Sequence, residues 1–336
     1  MSEPLRVVSI GGGHGLSALL EGLKRYRHAD GGALDITAIV TVTDDGGSSG
    51  RLRREFDVLP PGDIRNCMVA LSEDGALLSQ LFQYRFKAGH GLKGHSFGNL
   101  FLTALTEITG DFPDAVRSSA EVLKIAGRIF PATAANVSLE AVLEDGKVVR
   151  GESRISRSRR RIRQIRLLPA RVRPLPETLE AIAIADLITL GPGSLFTSVV
   201  PNLLVSGIPA AIRRSRARKA YFLNLMTQPG ETTNFAASDH VAALHQHAKC
   251  KFVDSIVVST SRIPPRIRKK YAAQNAEPIT VDAQMLADMG LEIIAEDLAQ
   301  IDGKIRHNSE AIARVAVEMA MRPVHENTGD RLPALH

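Results

Sequence analysis

A short apolar run, Val7-Val8-Ser9-Ile10, stops on Gly11-Gly12-Gly13-His14-Gly15, and a helical repeat starts at once. Leu16, Leu19, Leu20 and Leu23 recur at i, i+3, i+4 and i+7, the spacing of one helix face. A strand that turns through glycines straight into a helix points to a parallel α/β sheet. Glycine lets the backbone take positive φ and approach a ligand closely. The helix start adds unpaired N–H groups and a partial positive charge. Together these suit an anion, most often phosphate. Without a ligand, the same residues make a tight turn. Gly11, Gly12, Gly13, His14 and Gly15 are thus ligand-binding candidates. Two common phosphate motifs do not fit. Leu16 stands where the dinucleotide fingerprint needs a third small residue, and no Gly-Lys-Ser/Thr follows.

Residues 36–42 are rich in β-branched side chains and read as a second buried strand, ending at Thr43-Asp44-Asp45-Gly46-Gly47. Strand, glycine loop, helix and strand make a βαβ unit, whose loops open at the carboxyl edge of the sheet. Asp44 and Asp45 suit a divalent ion such as Mg²⁺ that bridges phosphates, or a ribose hydroxyl. Asp-Asp-Gly-Gly is also ordinary turn chemistry. Asp63, after Pro60-Pro61-Gly62, reads as a helix N-cap, with Arg65 and Asn66 facing the crevice. Leu77 to Phe86 reads as a helix. Gly94-His95-Ser96-Phe97-Gly98 matches the nucleophile elbow of hydrolases. An elbow follows a buried strand, however, and residues 87–94 are polar and glycine-rich. Ser96 and Asn99 are therefore expected to cap or enter a helix over 99–109, with His95 toward the crevice. His90 and His95 lack a carboxylate at zinc-ligand spacing.

From Ala181 a second apolar run leads to Gly191-Pro192-Gly193-Ser194 and another helix start. Gly193 and Ser194 form a second candidate cradle. Asn224, Thr227 and Gln228, after a strand over 220–225, offer neutral donors and acceptors to a base or sugar. Further strands are expected over 208–212 and 252–258. A helix over 239–248 would carry His240, His245 and His247 at the surface, and an amphipathic helix covers 309–321. Two cradles in one sheet favour a phosphorylated ligand between them.

Residues of about 131–175 interrupt the α/β rhythm. Two runs flank Asp145-Gly146, a hairpin signal with a type I′ turn. Nine arginines and no acid lie between Arg154 and Arg173. Of the 42 basic residues this leaves 33, against 36 acidic ones, so the formal charge of +6 is local. The stretch lacks aromatic residues to stack on bases, which disfavours nucleic acid. A solvated loop or edge strand is the expected form. The fold class is thus α/β: a mostly parallel, Rossmann-like sheet flanked by helices, with an inserted β-hairpin element. One domain is expected over residues 1–322, with a loose tail over 323–336. No run of about 18 apolar residues exists, so no membrane span is expected. Two distant cysteines and no signal-peptide pattern fit a cytoplasmic protein.

Six ordered motifs carry a resemblance. They are Gly11-Gly12-Gly13-His14-Gly15-Leu16-Ser17, Thr43-Asp44-Asp45-Gly46-Gly47-Ser48-Ser49-Gly50-Arg51-Leu52, Pro61-Gly62-Asp63-Ile64-Arg65-Asn66, Gly94-His95-Ser96-Phe97-Gly98-Asn99-Leu100, Leu190-Gly191-Pro192-Gly193-Ser194-Leu195 and Asn224-Leu225-Met226-Thr227-Gln228-Pro229-Gly230-Glu231-Thr232. Over residues 6–322 the chain resembles the bacterial gluconeogenesis factor family (YvcK-like), related to the CofD-like 2-phospho-L-lactate transferases. The resemblance implies a UDP-sugar ligand such as UDP-N-acetylglucosamine, or another nucleoside diphosphate. It also implies a role in cell shape and wall synthesis on gluconeogenic carbon sources, with a protein partner in wall synthesis. A homo-oligomer is expected. Tyr271 and Arg306 match the tyrosine and arginine that hold the UDP-sugar in that family. Asp44 and Asp45 match the acids that the transferase relatives place around a metal.

Overall fold

The computed structural model describes residues 3–27, 34–73 and 76–322, so the segment 323–336 lies outside the described residues. β1 (Leu5–Gly11) turns into α1 (Gly13–Lys24), which returns as β2 (Leu34–Val40). α2 (Gly47–Phe56), α3 (Gly62–Leu71), α4 (Ala76–Gln83), α5 (Phe97–Thr109) and α6 (Phe112–Val122) lead to β3 (Arg128–Pro131). The insert follows: β4 (Ser138–Leu143), β5 (Val148–Arg150), α7 (Glu152–Arg157) and β6 (Ile162–Leu168). α8 (Pro176–Ile184) delivers β7 (Leu187–Leu190). A π-helical turn, Leu195–Val199, opens α9 (Val200–Leu203), and α10 (Ile208–Arg214) leads to β8 (Arg218–Phe222). Then come α11 (Ala237–Ala248), β9 (Ser255–Ser259), α12 (Pro265–Ala272), α13 (Ala283–Asp288) and β10 (Glu292–Glu296). The hairpin β11 (Ala299–Ile301) and β12 (Ile305–His307) precedes α14 (Ser309–Met321).

The main sheet is parallel throughout, in the order β10-β9-β8-β7-β1-β2-β3. The chain builds outward from β1 through β2 to β3, then crosses back to β7 and builds the other way. Right-handed crossovers therefore place helices on opposite faces of the two halves. Both faces are covered, so the strands are apolar on both sides. Val7, Val8 and Ile10 are all buried. The one polar side chain among them, Ser9, accepts from Thr189 Oγ1 at 3.0 Å. On α1 the four expected leucines, Leu16, Leu19, Leu20 and Leu23, are fully buried. Order reverses between β1 and β7, which is the place where open α/β sheets bind ligands.

Three local expectations fail, each for a physical reason. Residues 208–212 are helix, not strand. Gly207 in the left-handed region and Pro209 in the first turn start α10, and a short apolar run does not by itself tell helix from strand. The hairpin turn is not type I′. Only Gly146 has positive φ (79°), and its N–H donates to Leu143 O at 3.0 Å, so a type I turn is followed by a glycine bulge. His240 and His247 are buried, not superficial. His240 Nδ1 meets Tyr221 Oη at 2.9 Å, and burial pushes this imidazole down to about 4. His247 donates from Nδ1 to Ala243 O and accepts the Ile165 N–H at Nε2, pinning α11 to β6.

The insert is a three-stranded antiparallel sheet, β5-β4-β6. Along β6, Ile162, Ile165 and Leu167 point inward while Arg163 and Arg166 are exposed, so the middle of the arginine stretch is an edge strand, while Arg154 and Arg157 lie on α7. Arg160 and Arg161 pair with Asp145 and Glu144 at the hairpin turn.

Candidate functional site

The two glycine turns lie at the carboxyl ends of adjacent strands and pack into one another. Ile10 on β1 is opposite Leu190 on β7. A Cβ on Gly15 would lie 2.4 Å from Pro192 O, and one on Gly193 would lie 3.2 Å from Gly12 O. Part of the glycine surplus is therefore a demand of packing between the turns, not of a ligand. Positive φ is confined to Gly13 (65°) in the first turn, and to Gly191 (72°) and Gly193 (156°) in the second.

Asp63 is not the N-cap of α3. Pro61 holds that position, and Asp63 lies in the first turn of the helix. Its carboxylate accepts the Gly13 N–H, and a Cβ on Gly12 would be 2.7 Å from its Oδ2. Burial, then the Asp44 charge, pushes Asp63 up to about 7. His14 and Gly15 occupy the next two positions of α1, where N–H groups have no intrahelical acceptor. The His14 side chain is exposed.

The second turn is clamped. Asn224 donates to Gly193 O at 2.8 Å and accepts the Gly193 N–H at 3.1 Å. Gln228 donates to Ser194 Oγ at 2.7 Å. Thr227 is buried, and its hydroxyl accepts the Glu277 N–H at 2.9 Å. The loop after β8 is thereby held against the turn after β7.

On the other side stand the acids after β2. Asp44 Oδ1 accepts the Gly46 N–H, and Asp45 Oδ1 accepts the Ser153 N–H at the start of α7, both at 2.8 Å. Sequence reasoning missed Glu152 and Glu231. Burial, followed by Asp44 and Asp45, pushes Glu152 up to about 7. Glu231 is buried, and burial pushes it up to about 7 against hydrogen bonds from Thr197, Phe196 N–H and Ser156. The signal for Glu231 was its place in the Gly230-Glu231-Thr232 motif. For Glu152 the sequence offered none. Among the described residues, no three His, Cys, Asp or Glu side chains converge on a metal position.

His95, Ser96 and Asn99 form a buried polar layer beneath α2. His95 Nδ1 meets Ser48 Oγ at 3.0 Å, and burial, then Arg51, lowers its pKa. Asn99 donates to Ser49 Oγ at 3.2 Å. Ser96 N-caps α5, accepting from Asn99 N–H, and takes a hydrogen bond from Arg65 at 2.7 Å. Arg65 also donates to Asn66 Oδ1. Ser96 is thus a cap, as expected, and no buried strand precedes it. Ser96→Ala should cost about 1–2 kcal/mol by urea unfolding, the usual worth of a lost cap.

Tyr271 lies on α12 and Arg306 on β12. Tyr271 Oη accepts the Ile305 N–H at 2.9 Å. Arg306 is exposed and, with Lys270, Gln300, Asp302, Gly303 and Lys304, lines a cavity of about 390 Å³. His307 Nε2 donates to Leu223 O at 3.1 Å, which moors this hairpin at the end of β8. A second cavity, about 450 Å³, lies between α2 and the insert and reaches Asp45 and Arg53.

A fold of this topology, with packed glycine turns at its switch point, has relatives. Residues 7–299 match the family described as 2-phospho-L-lactate transferase CofD, and the chain belongs to that family. It is 48% identical over 320 residues to the gluconeogenesis factor of Bacillus subtilis, covering 95% of this chain and 99% of that protein. It is 42% identical over 322 residues to that of Listeria monocytogenes, covering 96% and 97%. A crystal structure of a Bacillus halodurans protein aligns with a TM-score of 0.90 at 47% identity, over 94% of this chain and 100% of that one. No single helix among the described residues is long and apolar enough to cross a membrane.

Proposed function

We propose that this chain is a cytoplasmic UDP-sugar-binding regulator of cell shape and wall synthesis under gluconeogenic growth. The observation that carries the ligand is the pair of interlocked glycine turns at the switch point between β1 and β7. The N–H groups of His14 and Gly15, and the region of Ser194, are the donors for a diphosphate. Tyr271 and Arg306 are assigned to the nucleoside end, where an aromatic ring stacks on uracil and a guanidinium pairs with phosphate. The regulatory role is that of the relatives named gluconeogenesis factor, together with the resemblance. Titration with UDP-N-acetylglucosamine by calorimetry should give saturable binding. Tyr271→Ala and Arg306→Ala should each weaken it by about tenfold or more, the usual loss of a charge-assisted or stacking contact. Absence of binding would remove the reading.

A second reading is a Mg²⁺-dependent transferase acting on a nucleoside-diphosphate donor, favoured by the acids beside the first turn. Asp44, whose Oδ1 is engaged but whose Oδ2 has no hydrogen bond among the described residues, fits a cation that is completed by phosphate and water. Asp45 and Asp63 would stand beside it, although Asp45 is already engaged by α7. The ion would stabilise charge on the leaving phosphate. The chain's own part is to position that phosphate on the backbone N–H groups. Turnover with a nucleotide-linked donor and a deazaflavin acceptor, lost in Asp44→Asn, would favour this reading; none with any donor would sink it.

A further inference from the structure

Away from the cleft, α4 and α5 present an apolar face that no described residue covers. The two helices run antiparallel, and where the chain enters α5 the Phe97 N–H donates to Tyr84 O at 2.8 Å. Phe82 locks them together, its ring centroid 6.1 Å from that of Phe97 and 5.0 Å from that of Phe101. The inner side of α5 is fixed as well, since Asn99 donates to Ser49 Oγ on α2 at 3.2 Å. The outer side is left over. Leu77 is 80% exposed and Ile108 is 78% exposed, and Leu81, Tyr84 and Ala104 are exposed around the half-buried Phe101. On α5, Phe101, Ala104 and Ile108 stand at i, i+3 and i+7; on α4, Leu77, Leu81 and Tyr84 stand at i, i+4 and i+7. Each set is one helix face. Scattered exposed apolar side chains are ordinary, but a patch across two packed helices marks an interaction surface.

The charges around this face are sorted by end. No Asp or Glu occurs from Ala76 to Thr106. The loop at the start of α5 carries the exposed Lys87 and Lys93, and the far end carries the exposed Glu107 and Asp111. Roughly 15 Å separates the two ends, the rise of the helix from Phe97 to Glu107. Among the described residues, Lys87, Lys93 and Glu107 form no ion pair. We propose that this face binds a second copy of the chain, the two α4–α5 pairs meeting about a two-fold axis with each α5 antiparallel to its partner. A two-fold contact needs a self-complementary patch. Rotation about the middle of the face turns the basic end of one copy onto the acidic end of the other, so both sets of opposite charges meet at once. A partner of uniform charge is attracted at one end and repelled at the other. The small side chain of Ala104, near the middle, lets the two α5 helices approach closely. An apolar centre with charges at the rim is the usual anatomy of such a contact. The proposal rests on no ligand.

Sedimentation equilibrium of the full chain tests this. A concentration-dependent dimer is expected. Ile108→Asp should weaken it by about a hundredfold or more, because the two-fold axis buries the new carboxylate twice. Ile108 is exposed in the single chain, so this variant should keep the wild-type far-UV circular dichroism. Leu77→Asp should act in the same direction if Ile108→Asp does not fold. Charge reversal tests the arrangement. Glu107→Lys and Lys93→Glu should each weaken the dimer by about fivefold or more, since each replaces attraction by repulsion at both ends. Mixed in equal amounts, these two variants should associate about as well as the wild type, because the mixed dimer again sets opposite charges together at both ends. A monomer at every concentration up to the solubility limit, or a dimer that both apolar variants leave unchanged, would overturn the interface. A mixture that stays as weak as the separate charge variants would overturn the two-fold arrangement.

Discussion

Gly15→Ala should wedge the two turns apart. The new Cβ would sit 2.4 Å from Pro192 O and 2.6 Å from Pro192 C, both backbone atoms with no side chain to move aside. Overpacking of this kind costs about 1–3 kcal/mol. A urea titration should show that loss. Binding should suffer as well. Backbone donors moved out of hydrogen-bond range of a charged group cost about 1.5–3 kcal/mol, so UDP-sugar affinity should fall by about tenfold or more in protein that remains folded. A Gly47→Ala variant is the control: Gly47 has positive φ (46°), which Gly15 lacks, but a Cβ there has nothing within 4 Å. It should show a modest backbone cost without the loss of affinity. Equal affinity in Gly15→Ala and wild type would mean that the contact between the turns is irrelevant to the ligand.

Stability should fall as pH rises through about 7. Asp63, Glu152 and Glu231 all hold protons more tightly in the fold than in the unfolded chain. Asp63 moves from 3.8 to about 7, and the two glutamates from 4.5 to about 7, with burial the leading cause in each. Folding therefore takes up protons between about pH 4 and 7. The contribution is complete below the unfolded values, declines across that window and is gone above about 7. A tenfold difference in proton affinity between folded and unfolded chain corresponds to about 1.4 kcal/mol. The three groups interact, and Asp63 and Glu152 are partly exposed, so the sum is well below the separate values. A difference of about 2 kcal/mol or more between pH 5.5 and pH 8.0 is expected from urea unfolding. Glu231→Gln and Asp63→Asn should each flatten the profile. A profile that rises toward pH 8, or one that the variants leave unchanged, would contradict this.

The glycine turn at residues 11–15 was legible in the sequence because three signals coincided: a strand period, glycines and a helix period. The same held for residues 191–194, and the parallel sheet followed from both. What the sequence could not reveal was contact between segments far apart in the chain. Gly15 reads as a loop residue until Pro192 is seen against it. Asp63 has the local signature of a cap, yet its acceptor role points across the fold to Gly13. Glu152 lies just before an arginine-rich stretch, and only the docking of α7 on Asp45 brings it to the site. The histidines of α11 look superficial by composition. Tyr221 and the edge of β6 supply the partners that let them be buried. Residues 208–212 failed because a five-residue apolar run carries no period long enough to separate helix from strand.

The most direct measurement is a crystal structure of the protein soaked with UDP-N-acetylglucosamine. The diphosphate should lie across the switch point, its oxygens within hydrogen-bond distance of the His14 or Gly15 N–H and of the turn at Gly193–Ser194. Density for the diphosphate in the cleft between α12 and the β11–β12 hairpin, with both glycine turns untouched, would contradict it.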